Sequence, residues 1–125
     1  MSACKVLVVE DNQEIREAVV ELLRSEGHEV REAPNGRIGL AMATASRPDA
    51  ILLDMMMPVM DGQQFLDARA NLADLREVPV VVMTAHAALR KPKGVSLLLR
   101  KPFDIRHVIE AVDASCAQRS RAASS

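Results

Sequence analysis

Four places in this 125-residue chain put a charged or hydroxyl side chain directly after an apolar run. Glu10-Asp11 follow Lys5–Val9, Asp54 follows Ala50–Leu53, and Thr84 follows Val80–Met83. Lys101 comes after Ser96–Leu99 and Arg100. If the runs are parallel strands, all four ends open on one edge, where α/β sheets hold their ligands. Asp54, Asp11 and Glu10 would then crowd together, and one carboxylate pair ~5 Å apart costs ~3 kcal/mol at an effective dielectric of ~20. Lys101 offsets part of that repulsion. A hard divalent ion on oxygen ligands, Mg²⁺ for preference, would offset the rest. A carboxylate beside such an ion and a lysine can accept a phosphoryl group, with Lys101 and the Thr84 hydroxyl holding its remaining oxygens.

The elements that must position these residues can be read from period and punctuation. Ala50–Leu53 and Val80–Met83 are unbroken apolar runs, the pattern of strands buried on both faces. Ile15, Ala18, Val19, Leu22 and Leu23 mark an amphipathic helix over Asn12–Glu26, stopped by Gly27. His28–Ala33 is a short polar strand, and Arg37–Ser46 is a helix that Pro48 ends. Gln63–Asn71 is a helix burying Phe65, Leu66 and Ala70. Asp104 caps a last helix through Ile105, Val108, Ile109, Val112 and Cys116. Strand and helix alternate throughout, which predicts a five-stranded, parallel, doubly wound α/β sheet with right-handed crossovers.

Composition narrows the function. A net charge of −1 gives no general attraction to nucleic acid or membrane. No apolar stretch approaches a membrane span and no leader pattern is present, so a cytoplasmic setting is expected. Cys4 and Cys116 suggest neither a disulfide framework nor a metal site, and are expected as thiols packed like small apolar side chains. Residues 1–119 are expected to form the domain, with 120–125 a frayed tail or linker start. The basic run Arg90–Lys93 reads as a solvated edge, since no Tyr or Trp is present to stack bases. Met55, Met56, Met57 and Met60 read as adaptable packing, with Met56 placed to overhang Asp54.

Glu10-Asp11, Asp54 with Met55-Met56-Met57-Pro58, Asp61-Gly62, Thr84-Ala85 and Lys101-Pro102-Phe103, in that order, resemble the receiver domain of the two-component response-regulator family over nearly the whole chain. The resemblance implies strand order 2-1-3-4-5 and phosphorylation of Asp54 by a phosphohistidine on a sensor histidine kinase or phosphotransfer protein. It implies Mg²⁺ held by Glu10, Asp11, Asp54 and the main-chain carbonyl of Met56. It also implies phosphoryl contacts from Thr84 and Lys101, and a cis bond before Pro102. On this reading the chain is a signalling switch, and its only chemistry is its own phosphorylation and dephosphorylation.

Two departures from the family pattern stand out. The segment Ala85–Arg100 is short, and Pro92 and Gly94 leave room for only a stunted fourth helix near His86–Lys91. The aromatic residue usual three positions before the lysine is Leu98 here. An exposed apolar patch drawn from some of Leu89, Leu97, Leu98 and Leu99, rimmed by Arg90, Lys91, Lys93 and Arg100, is therefore expected as a surface for a protein partner or a second copy. A receiver-fold binding module working without phosphorylation is the alternative function. An Asp-nucleophile phosphatase is disfavoured because Met56 stands where a second aspartate belongs. A flavin-binding role lacks a glycine-rich phosphate loop and any Tyr or Trp.

Overall fold

A computed structural model describes residues 4–57, 59–85, 89–101 and 104–124, with residues 118–124 described by their backbone only. The elements are β1 (Lys5–Val9), α1 (Gln13–Ser25), β2 (Glu29–Ala33), α2 (Gly36–Ala45), β3 (Ala50–Asp54), α3 (Gly62–Ala70), β4 (Val80–Thr84), β5 (Leu97–Arg100) and α4 (Ile105–Ser124). The five strands are parallel in the order β2-β1-β3-β4-β5, as the family resemblance implies.

Strand alternation divides the core in two. Val6, Val8, Leu52, Val81, Met83 and Leu99 face α1 and α4, where Val19, Val20, Leu23, Val108 and Val112 meet them. Leu7, Val9, Ile51, Leu53, Val80 and Val82 face α2 and α3, packing on Ala43, Phe65 and Leu66. Every residue of β3 and β4 is buried, as two-sided burial of a central parallel strand requires.

Among the described residues no helix joins β4 to β5; Leu89–Pro92 has no regular structure and Lys93-Gly94 forms a turn. Other groups cover that part of the sheet. Leu75, Val78 and Val95 are buried there. Arg69 of α3 is buried too, and its Nη2 donates to the carbonyls of Arg76 at 2.9 Å and Val78 at 2.5 Å. Its guanidinium would lie 3.6 Å from a Cβ at Gly94, so a helix residue's side chain does the covering that a helix does elsewhere.

The leucines of this region, the cysteines and the end of α4 need separate description. Of the four leucines expected to contribute to a patch, only some are exposed, because alternation splits Leu97 and Leu99 from Leu98. Leu97 is 42% exposed, Leu99 is buried against α1 and α4, and Leu98 and Leu89 are half-buried against the opposite core. The cysteines are not separate thiols: Cys4 and Cys116 are joined in a disulfide, with Cα atoms 6.1 Å apart across 112 residues of sequence. That pairing comes from tertiary packing, which a count of two cysteines does not reveal. The backbone of α4 runs on to Ser124. The bond before Pro102, the motif residues Pro58 and Phe103, and the His86 end of the expected fourth helix lie outside the described residues.

Candidate functional site

Register brings the polar strand ends together. Val9 pairs with Leu53, which sets Glu10 level with Asp54; Asp54 pairs with Met83, and Thr84 pairs with Arg100, just before Lys101. By alternation Glu10, Asp54 and Lys101 extend the rows of Val8, Leu52 and Leu99, so all three continue the face that α1 and α4 cover.

The local sequence then fixes each group. Asn12 caps α1, its Oδ1 accepting from the Ile15 N–H at 3.0 Å, and its own N–H donates to Glu10 Oε2 at 3.3 Å. Arg16, one turn into α1, donates from Nη1 to the Glu10 carbonyl at 2.9 Å and from Nε to Glu32 at 3.0 Å. Sequence reasoning missed Arg16; its sole signal was a basic residue on the polar side of α1, next to the acid pair. After Asp54 the chain turns sharply into α3. Asp61 and Gln64 exchange side-chain and backbone hydrogen bonds in a capping box, and the Gly62 N–H donates to the Met55 carbonyl at 3.1 Å. A Cβ at Gly62 would lie 2.6 Å from Met55 Cα, so only glycine lets α3 start this close to the residue after Asp54.

Glu10, Asp11, Asp54 and Lys101 meet as follows. Carboxylate oxygens of Glu10, Asp11 and Asp54 lie within 4.8 Å of one another. Glu10 and Asp54 are buried and Asp11 is exposed. Lys101 Nζ donates to Glu10 Oε1 at 2.8 Å and stands 3.7 Å from Asp54 Oδ2. The Met56 N–H donates to Asp54 Oδ1 at 3.1 Å, while the Met56 side chain is 62% exposed beside it. Thr84 is fully buried, and its carbonyl accepts the Lys101 N–H at 2.6 Å, which pins the base of the lysine to the end of β4.

The electrostatics follow from this crowding. Burial, then the hydrogen bond and negative charge of Glu10, push Asp54 up to about 8, against the Met56 N–H and Lys101. Burial alone would raise Glu10 as well, but hydrogen bonds with Asp54 and Lys101, the lysine charge and the Asn12 N–H bring it below the usual carboxylate range. The two carboxyls therefore share one proton near neutrality, held on Asp54. Three carboxyls, two of them buried with one lysine beside both, suit a hard cation with oxygen ligands once Asp54 has released its proton.

The β3–α3 loop also carries a strained residue. Val59 has φ 71°, and its side chain is 71% exposed. A β-branched residue in the left-handed region costs roughly 1–2 kcal/mol. Val59→Asn is expected to raise stability by about 1 kcal/mol in urea unfolding, because asparagine tolerates that conformation and little packing is lost. An unchanged or lower stability would show that the strain is not relieved.

The family description "Response regulator receiver domain" matches residues 6–113. Sporulation initiation phosphotransferase F of Bacillus subtilis is 37% identical over 113 residues, covering 86% of this chain and 90% of that protein. Transcriptional regulatory protein PdtaR of Mycobacterium tuberculosis is 36% identical over 115 residues; these make up 87% of this chain but only 55% of PdtaR. The chain likewise spans about half the length of several other curated relatives. Among solved structures, chemotaxis response regulator CheY4 of Vibrio cholerae superposes with a TM-score of 0.83 at 30% identity, over 91% of this chain and 99% of that one.

Proposed function

This chain belongs to the response regulator receiver domain family, whose members are phosphoacceptor signalling modules, and on that premise we propose that it accepts a phosphoryl group on Asp54 from a phosphohistidine. The observation that supports the reading most is the meeting of Glu10, Asp11, Asp54 and Lys101 at one sheet edge. In the proposed reaction an Asp54 carboxylate oxygen attacks phosphorus, the P–N bond to the donor imidazole breaks, and the leaving imidazole nitrogen takes up a proton from solvent. Asp54 attacks as the carboxylate, so it must first give up the proton that burial and Glu10 hold on it. Lys101, already poised between Glu10 and Asp54, takes a phosphoryl oxygen, and the proposal gives another to the Thr84 hydroxyl, as the family resemblance implies. Glu10, Asp11, Asp54 and the Met56 carbonyl would hold Mg²⁺. When bound, the ion would supply positive charge that favours the carboxylate form of Asp54 and offsets the charge of the phosphoryl oxygens. The partner class is a sensor histidine kinase or a phosphotransfer protein.

A second reading, a binding module independent of phosphorylation, is favoured by one observation: β4 and β5 are joined without a helix among the described residues, beside Leu98 and exposed Leu97. Its contact would centre on the Leu89–Leu99 segment, with a protein partner or a second copy.

Intact mass after incubation with a small acyl phosphate and Mg²⁺ separates the two. The first reading expects one phosphoryl adduct on the wild type and none on Asp54→Asn. A folded wild type that takes no adduct would leave the second.

A further inference from the structure

We infer that Cys4 and Cys116 form a reversible thiol–disulfide couple, positioned by His28, that sets whether the last helix is covalently tied to the first strand. Cys4 immediately precedes β1, and Cys116 lies in the second half of α4. Their Cα separation of 6.1 Å falls in the range a disulfide spans without backbone movement.

The same two elements are also held together without the sulfur bond. His28 is buried, its Nδ1 accepting the Cys4 N–H at 3.2 Å and its Nε2 lying 3.2 Å from Asp113 Oδ1. With Nδ1 accepting, the ring proton sits on Nε2 and is donated to Asp113. Asp113 lies on α4 one turn before Cys116. The chain Cys4–His28–Asp113 thus bridges β1 to α4 beside the sulfurs and keeps the two cysteines facing each other when they are reduced. Such preorganisation gives one thiol a high effective concentration at the other, and that favours an internal disulfide over mixed adducts.

The exchange balances with a small-molecule disulfide as oxidant. The thiolate of one cysteine attacks the small disulfide and expels one small thiolate. The second cysteine's thiolate then attacks the resulting mixed disulfide at the protein sulfur and expels the other. Two electrons pass from the protein to the oxidant, and the two cysteine protons end on the released thiols. A dithiol reverses both steps. Cys4 and Cys116 are almost fully buried, so the reagent gains access as the end of α4 opens locally. The couple does not depend on phosphorylation of Asp54.

The test starts from the fully reduced full chain, equilibrated in buffers of reduced and oxidised glutathione, with free thiols trapped by alkylation and counted by mass. The expected product has both thiols lost internally, runs as a monomer and carries no glutathione, and its α4 amides exchange with solvent more slowly than in the reduced form. His28→Ala is expected to lower the equilibrium constant for closure about tenfold, since the reduced form then loses the link that holds Cys4 beside α4. His28→Asn, which restores an acceptor, is expected to recover most of that loss. Should His28→Ala fail to fold, Asp113→Ala, at a part-exposed side chain, is expected to weaken closure in the same direction. Glutathione adducts, intermolecular dimers or unchanged α4 exchange would overturn the proposal. So would Zn²⁺ uptake by the reduced protein that blocks closure, because Cys4, His28 and Cys116 would then be a metal site.

Discussion

Replacing Lys101 by methionine is expected to destabilise the metal-free domain by about 3 kcal/mol at neutral pH, the lower end for breaking a buried ion pair. The lower end applies because the lysine side chain is 19% exposed, whereas that of Glu10 is 1% exposed. Lys101 Nζ is 2.8 Å from Glu10 and 3.7 Å from Asp54, and Asp54 holds a proton until about pH 8. The loss therefore falls chiefly on Glu10, left ionised and buried with the Asn12 N–H and Asp54 as its hydrogen-bond partners. The direction of the Glu10 shift sets the pH dependence. A lowered folded pKa contributes stability above the ordinary value of 4.5, and that stability disappears as pH falls through the folded value. The gap between wild type and Lys101→Met should close correspondingly in acid. Adding Glu10→Gln to Lys101→Met removes the stranded charge and is expected to recover part of the loss. Urea unfolding of the four proteins of this cycle measures it. A Lys101→Met protein as stable as wild type would mean that the lysine charge is not what keeps Glu10 ionised.

The sequence made the pocket legible because parallel topology turns a one-dimensional pattern into a common edge. Once Ala50–Leu53 and Val80–Met83 read as buried parallel strands, the residues after them had to meet. No measurement of distance was needed to place Glu10, Asp11, Asp54 and Lys101 together. The division of charge inside the pocket was not legible. That Lys101 sits nearer Glu10 than Asp54, and that Asp54 keeps the proton, depends on differences of about an ångström. Arg16 was missed because its partners, the Glu10 carbonyl and Glu32, lie on other elements. The β4–β5 connection was partly legible: Pro92 and Gly94 told against a full helix, but nothing local shows that Arg69 of α3 covers the gap. The Cys4–Cys116 bond closes nearly the whole chain, and a pairing across 112 residues leaves no periodic trace.

The affinity for Mg²⁺ is expected to rise about tenfold per pH unit up to about pH 8 and then level off. A hard cation takes Asp54 as the carboxylate, yet in the metal-free pocket burial and Glu10 keep it protonated to about 8. Binding must therefore release that proton, and near neutrality close to one proton should leave per ion. Calorimetry in two buffers of different ionisation enthalpy counts it directly. The same shift governs stability without metal. In the unfolded chain Asp54 titrates near its ordinary 3.8, so the folded state holds a proton that the unfolded state has lost over the window up to about 8. A raised folded pKa contributes stability that is complete below the unfolded value and disappears as pH rises through the folded one. The metal-free domain should accordingly weaken across that window, and the Mg²⁺-induced rise in melting temperature should grow across it. Asp54→Asn keeps the shape, carries no titrating carboxyl, and should show neither trend while binding the ion more weakly. An affinity that stays flat from about pH 6 to about pH 8, with no proton released, would mean that Asp54 is already ionised in the free pocket. Glu10 and Asp54 would then both be charged beside a single lysine, and the repulsion between them would have to be relieved by water reaching the pocket.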